Sequence, residues 1–334
     1  MQLRSLIAFV TFGLTVACGS DDSQSSPASG GAAGAGGIGA SGATGGASGG
    51  GGASGGGAGA SGAGGSAAGA GGGAGSGASS GAGGSGDGTG GASGTPWSPK
   101  PGTSWQWQLT GTLDQSVDVA MYDIDLFDNS AATVQALQAK GRVVICYFSA
   151  GSREDWRSDA GQFQKSDYGK ALDNWPGETW LDVRSANVRN IMKARLDLAV
   201  QKKCDGVEPD NVDGYSNDTG FPLNKNDQLD YNKFLAQESH ARGLSVGLKN
   251  NVELVGDLVA HFDWAPNEEC LSFSECKTLT PFLNANKAVF HVEYVDKSSQ
   301  GAAKQTSVCK DTSIQGFSTL IKTWDLDAWR LACP

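Results

Sequence analysis

Histidine is scarce in this chain of 334 residues, which holds only His240, His261 and His291. The three share no metal-ligand spacing, and His240 falls within a stretch of helical periodicity, so no metal centre is expected. No Gly-rich phosphate loop follows the first predicted strand, which argues against a dinucleotide-binding sheet and leaves no cofactor to expect. Asp210-Asn211-Val212-Asp213-Gly214 lacks the alternating ligands of an EF-hand. Beyond the amino-terminal segment, no apolar run is long enough to cross a bilayer as a helix. Positive charge is in deficit as well. From Trp97 onward 24 bases face 32 acids, a net charge of −8. That balance argues against a nucleic-acid partner and suits a neutral or cationic ligand.

Three compositional regimes divide the chain. Residues 1–17 read as a secretory signal peptide, with Arg4 ahead of the largely apolar Ser5–Val16 and Ala17 before a cleavage point. Leu14-Thr15-Val16-Ala17-Cys18 resembles a bacterial lipobox, with Thr15 departing from the usual Leu. It points to Cys18 as a lipidated first residue and to a cell-envelope lipoprotein, at the outer membrane or cell surface. Residues 18–95 form a linker in which 23–95 alone carry 34 of the 51 glycines and no aromatic residue. Such a segment has too little apolar surface to offset its ordering entropy and is expected to be a disordered tether. Its irregular glycine period and near absence of proline exclude collagen.

The third regime, residues 96–334, holds all nine tryptophans and all six tyrosines. That is enough chain for one large core, and a monomer is expected. Six cysteines remain after Cys18. In an oxidising compartment the favoured pairs are Cys270 with Cys276 and Cys309 with Cys333. Cys146, inside a predicted strand, and Cys204, at the start of the next, are read as buried thiols.

Short apolar, β-branched or aromatic runs alternate with helical stretches. Strands are predicted at 104–109, 119–125, 143–149, 204–210, 245–250, 262–268, 288–295 and 315–321. Helical spacing marks 185–202, through Val188, Ile191, Met192, Leu196 and Ala199, and 227–242, which Gly243 ends. Eight strand–helix repeats point to a closed (β/α)8 barrel of TIM type, with an open doubly wound sheet as the rival.

In such a barrel the active site is built at the carboxyl ends of the strands. Those ends carry Asp123 and Asp125, Tyr147, Glu208 and Asp210, Lys249 and Asn250, Glu268 and Glu269, and Glu293 and Tyr294. Polar groups near the top of an apolar strand are costly unless used or paired, so their convergence predicts a polar pocket. The rival reading is a rim of ion pairs. Trp156, Trp175 and Trp180, between the third and fourth strands, are read either as a sugar-stacking wall or as packing. Asn217-Asp218-Thr219 matches a glycosylation acceptor but reads as a polar loop.

At these residues the chain resembles glycoside hydrolase family 114, the endo-α-1,4-polygalactosaminidases. The resemblance rests on Tyr122-Asp123-Ile124-Asp125, Cys146-Tyr147-Phe148-Ser149-Ala150-Gly151, Trp180-Leu181-Asp182-Val183-Arg184 and Asp205-Gly206-Val207-Glu208-Pro209-Asp210-Asn211. Gly247-Leu248-Lys249-Asn250 and Asn267-Glu268-Glu269-Cys270 complete it. It implies a TIM barrel that cleaves α-1,4-linked galactosamine polymers internally. By the family's motifs, Asp210 and Glu268 match its catalytic pair. A retaining mechanism is expected, with Asp210 as nucleophile and Glu268, its pKa raised, as acid and then base. Asp123, Asp125, Tyr147, Glu208, Lys249 and Glu293 are expected to surround the sugar. Two other functions compete: a non-catalytic polysaccharide-binding lipoprotein, and a Schiff-base lyase acting through Lys249.

Overall fold

The computed structural model describes residues 95–334. The signal-like segment, Cys18 with its lipidation, and the Gly/Ala/Ser-rich tether lie outside the described residues.

All eight predicted strands form, as a parallel series. Five pair in the order β1 (Trp105–Gln108), β2 (Met121–Asp125), β3 (Val143–Ser149), β7 (Gly206–Asp210) and β8 (Ser245–Val246). A second sheet runs from β9 (Ala265–Glu268) through β10 (Val289–Val295) to β11 (Ser318–Thr323). A single parallel bridge, Gly247 to Trp264, joins the two sheets. The closed ring expected from the eight repeats is not completed by a ladder: none joins β1 to β11 among the described residues. Instead β12 (Leu331–Ala332) runs antiparallel along β11. Trp105 Nε1 reaches the Ser318 carbonyl at 2.9 Å, and the amides of Leu109 and Thr110 donate to the Leu326 carbonyl. The carboxy-terminal segment thus fills the seam between the first and eighth strands.

The connections obey local chemistry. Helix α1 (Ala131–Gln138) starts at Ser130, whose hydroxyl accepts the Thr133 amide. Helix α2 (Ala186–Lys202) is capped by Ser185, and α3 (Lys225–Ala241) by a reciprocal Asn224–Asp227 capping box. Shorter helices follow: α4 (Val255–Leu258), α5 (Thr280–Asn284) and α6 (Gly301–Val308). Between β3 and α2 the chain makes a small antiparallel sheet of β4 (Ser152–Glu154), β6 (Glu178–Leu181) and β5 (Tyr168–Ala171). Its strands are too short, and β5 too rich in Gly and Lys, to announce themselves by periodicity.

Alternation along the parallel strands sorts residues onto two faces. Outward residues such as Ile124, Val144, Phe148, Val207 and Val246 pack in one core with Val188, Met192, Leu196 and Leu235 of the helices. Inward residues Trp105, Trp107, Met121, Ile145, Trp264, Phe290 and Leu320 form a second, largely aromatic core. Gly247 makes room for it, since a Cβ there would lie 2.5 Å from the Trp264 ring. Two residues further along the same inward faces stand Asp123, Tyr147, Glu208 and Lys249.

Three disulfides are present: Cys270–Cys276, Cys309–Cys333 and Cys146–Cys204. The third corrects the reading of Cys146 and Cys204 as free thiols. These cysteines are 58 positions apart in sequence, but β3 pairs with β7, which brings their Cα atoms to 6.0 Å on the outward face. This bond ties β3 to the approach of β7. Replacing both cysteines by serine is expected to lower stability by about 2–4 kcal/mol, measured by urea unfolding.

Candidate active site

The chain turns in the same way just past β7 and β9 and a few residues beyond β8. The residue after Asp210, Asn211, has φ 59°; Asn250 and Asn251 have φ 46° and 42°; Glu269, after Glu268, has φ 58°. Asn accepts this left-handed region more readily than most residues, and each turn takes the chain off the strand just past a functional side chain. Gly151 completes the first of these turns. A Cβ on it would lie 1.7 Å from the Asn211 carbonyl oxygen, and the Ala150 and Gly151 amides donate to the Asp210 carbonyl at 2.8 and 3.0 Å.

Lys249 is the centre of the site. It is buried, and its Nζ lies 2.8 Å from Glu208 Oε1, 3.4 Å from Asp210 Oδ2 and 3.3 Å from Glu268 Oε2. It also sits 4.6 Å from the centroid of the Trp107 ring. Burial alone pulls an ammonium's pKa down, but the charges of Asp210, Glu208 and Glu268 outweigh it and hold Lys249 well above the ordinary lysine range. A Schiff-base lysine needs the opposite shift, so that function is not favoured.

Asp210 accepts a hydrogen bond from the Tyr147 hydroxyl at 2.9 Å, and its other oxygen accepts the Asn211 amide at 2.7 Å. Burial, then the charge of Asp210, raise Tyr147 well above the usual phenol range, so it stays a neutral donor. Glu268 accepts from the Tyr294 hydroxyl and from Asn250 Nδ2 at 3.1 Å. Asp210 Oδ2 and Glu268 Oε2 can be no more than 6.7 Å apart, the two Lys249 distances laid end to end. Retaining pairs span about 5–5.5 Å and inverting pairs about 6.5–9.5 Å, so this bound admits the retaining distance and only the lower edge of the inverting range.

The charge state of Glu268 departs from the expectation. Burial pushes its carboxyl up, but Lys249, Tyr294 and Asn250 together outweigh burial and bring it below the usual carboxylate range. In the unliganded protein Glu268 is an ionised group.

Beneath the pair, Asp123 and Glu208 are both fully buried. With both ionised, neither oxygen of Asp123 nor Glu208 Oε2 would meet a donor. A proton held between the two carboxyls makes that hydrogen bond. Burial, followed for Asp123 by the neighbouring charge of Glu208, raises both pKa values accordingly.

The other predicted residues do not join this cluster. Asp125 is paired with Arg157, which also holds Glu154, and accepts the Phe127 and Asp128 amides. Glu293 lies on the outer face of β10. It accepts the Leu271 amide and the Ser272 hydroxyl, meets His291 Nε2 at 3.3 Å and pairs with Lys304 at 2.8 Å. It braces the loop after Glu268, which the Cys270–Cys276 disulfide also closes. Trp180 is buried, whereas Trp156 and Trp175 are exposed at 55% and 51%. The one Gly-x-Ser-x-Gly run among the described residues, Gly243–Gly247, opens β8 rather than closing it. Its Ser245 hydroxyl accepts from Trp264 in the interior. His291 lies against Cys270 and Cys276, but their sulfurs are joined to each other.

Sequence reasoning placed Tyr294 and Asn250 at strand ends without giving either a role, and missed Trp107. Register would have given the first its role, because Phe290, Val292 and Tyr294 share the inward parity that excludes Glu293.

Removing the ammonium tests this electrostatic arrangement. Lys249→Met should cost about 3–5 kcal/mol at neutral pH, because it leaves buried carboxylates without their cation. In the variant those carboxyls have folded pKa values above their unfolded ones, about 4. Their contribution is therefore present below pH about 4 and lost as pH rises, so urea unfolding should show the gap to wild type narrowing at acid pH.

Comparison with known proteins places this arrangement. No curated protein matches the chain in sequence. Among solved structures, Aspergillus fumigatus Ega3 in complex with galactosamine superposes with TM-score 0.69 at 45% identity, covering 73% of this chain and 100% of Ega3. The glycoside hydrolase domain of PelA from Pseudomonas aeruginosa shares the fold, with TM-score 0.54 at 11% identity over 69% of this chain and 97% of that domain. The profile of glycoside-hydrolase family GH114 matches residues 88–334. This chain therefore belongs to glycoside-hydrolase family GH114.

Proposed function

We propose that this chain is an endo-acting hydrolase of α-1,4-linked galactosamine-containing polysaccharide that works with retention of configuration. The observation that carries the reading is the pair of carboxylates, Asp210 and Glu268, held on one ammonium with separate phenol donors. The 45% identity to a protein solved with galactosamine supports the sugar. The excess of acids in the domain suits a cationic amino-sugar polymer. A lipobox-like Cys18 and a long tether support an anchored enzyme that reaches a polymer away from the membrane surface.

In the first step an Asp210 oxygen attacks the anomeric carbon, the glycosidic C–O bond breaks, and a proton passes from Glu268 to the departing oxygen. In the second, Glu268 takes a proton from water, the water oxygen bonds to the anomeric carbon, and Asp210 leaves as carboxylate. The free enzyme holds Glu268 ionised, the form that the second step needs. Bound sugar must favour its protonation for the first, by excluding water from it and competing for its donors. Tyr147 and Lys249 keep Asp210 oriented throughout.

Asp210→Asn and Glu268→Gln should each cut kcat/KM on polygalactosamine by roughly 10²–10⁴-fold. Equal reducing-end release by wild type and both variants would favour the non-catalytic binding reading instead. Retention predicts that NMR of early digests shows the α-anomer of the new reducing end first. Because the productive free enzyme carries a proton on Glu268, whose pKa is lowered, kcat/KM should peak in the acid range and fall toward neutrality.

A further inference from the structure

An open cleft of about 530 Å3 begins where the Glu268 site ends. Tyr294, the donor to Glu268, forms one wall, and Trp324 lies stacked on its ring at 4.0 Å with the planes 20° apart. Glu269, Asp296, Gln300, Lys304 and Ser307 supply the polar lining. The volume lies within the usual range for small-molecule sites, about 300–1,000 Å3. Neither carboxylate of the pair lines the space, but Tyr294, which donates to Glu268, and Glu269, its neighbour in the chain, both do, so the space extends from the acid side of the catalytic pair.

Glu269 distinguishes this cleft from a plain groove. It adopts φ 58°, a conformation that Asn or Gly would take with less strain. Among the described residues its carboxylate meets no hydrogen-bond donor and no ion-pair partner. The nearest base, Lys304, is committed to Glu293. Burial, together with the charges of Glu293 and Glu268, raises Glu269 to about 7. Lys304 offsets this only in part, and a cation brought into the cleft would add to its charge.

We infer that this cleft binds the sugar unit on the leaving-group side of the scissile bond, with Trp324 as stacking platform and Glu269 as the residue that selects a free amine over an acetamide. The inference rests on the hydrolase reading above and adds a specificity determinant to it. A deacetylated unit presents an ammonium that the Glu269 carboxylate pairs with by a charge-assisted hydrogen bond. N-acetylation removes that charge and leaves the ring free to stack.

The test measures binding of galactosamine and N-acetylgalactosamine oligomers by calorimetry in an Asp210→Asn background, alongside hydrolysis by the wild type. Adding Glu269→Gln should weaken the galactosamine oligomer about tenfold or more, the worth of a charged hydrogen bond, and leave the acetylated one little changed. Adding Trp324→Leu instead should weaken both alike. Equal loss for both oligomers with Glu269→Gln, or no loss for either, would overturn the inference while wild-type hydrolysis of polygalactosamine upheld the function. Failure of the wild type to cleave any hexosamine polymer, with no oligomer binding, would remove both.

Discussion

One buried ammonium holds the functional end of this protein together. Lys249 emerges beyond the short strand β8 and meets carboxylates from β7 and β9, and no other base lies within 4 Å of Glu208, Asp210 or Glu268 among the described residues. Without it, those carboxylates would stand together in a low-dielectric interior with no counter-charge. Their separation and the ionised state of Glu268 follow from where this one charge sits, whereas the proton of the Asp123–Glu208 pair below is held by burial against its pull. The aromatic floor of Trp105, Trp107 and Trp264 excludes water from beneath it and lets a single ion act strongly over such distances.

Much of this is legible in the amino-acid sequence. The eight strands follow from periodicity, because β-branched and aromatic runs separated by helical stretches leave few alternatives. Asp210 and Glu268 are legible as strand-end acids and as matches to a family's motifs. Other features depend on contacts that sequence order hides. The Cys146–Cys204 bond exists because β3 lies beside β7, and the seam between β1 and β11 is filled by a segment whose strand, Leu331–Ala332, is too short to show a period. The charge state of Glu268 is hidden for a similar reason. Its burial is foreseeable, but the approach of Lys249, Tyr294 and Asn250 from two other strands is not.

The site also separates two kinds of polar strand end that look alike in sequence. Asp125 and Glu293 are neutralised by Arg157 and by Lys304, and each accepts backbone amides from a loop. They hold the frame of the mouth. Asp210 and Glu268 share a cation that they do not exhaust, and each keeps a phenol donor. The ion-pair rim and the polar pocket, set against each other as rival readings, are neighbouring layers of one mouth.

Glu293 and Tyr294 adjoin on β10 yet face opposite ways, one bracing the loop after Glu268 and the other gripping Glu268 itself. An alanine scan scored only by lost turnover would place the two side by side, although Glu293 is buried behind Lys304 and does not line the cleft. For a laboratory inferring sugar contacts from such a scan, the strand supplies its own false positive. Parity along β10, rather than severity of phenotype, tells scaffold from contact.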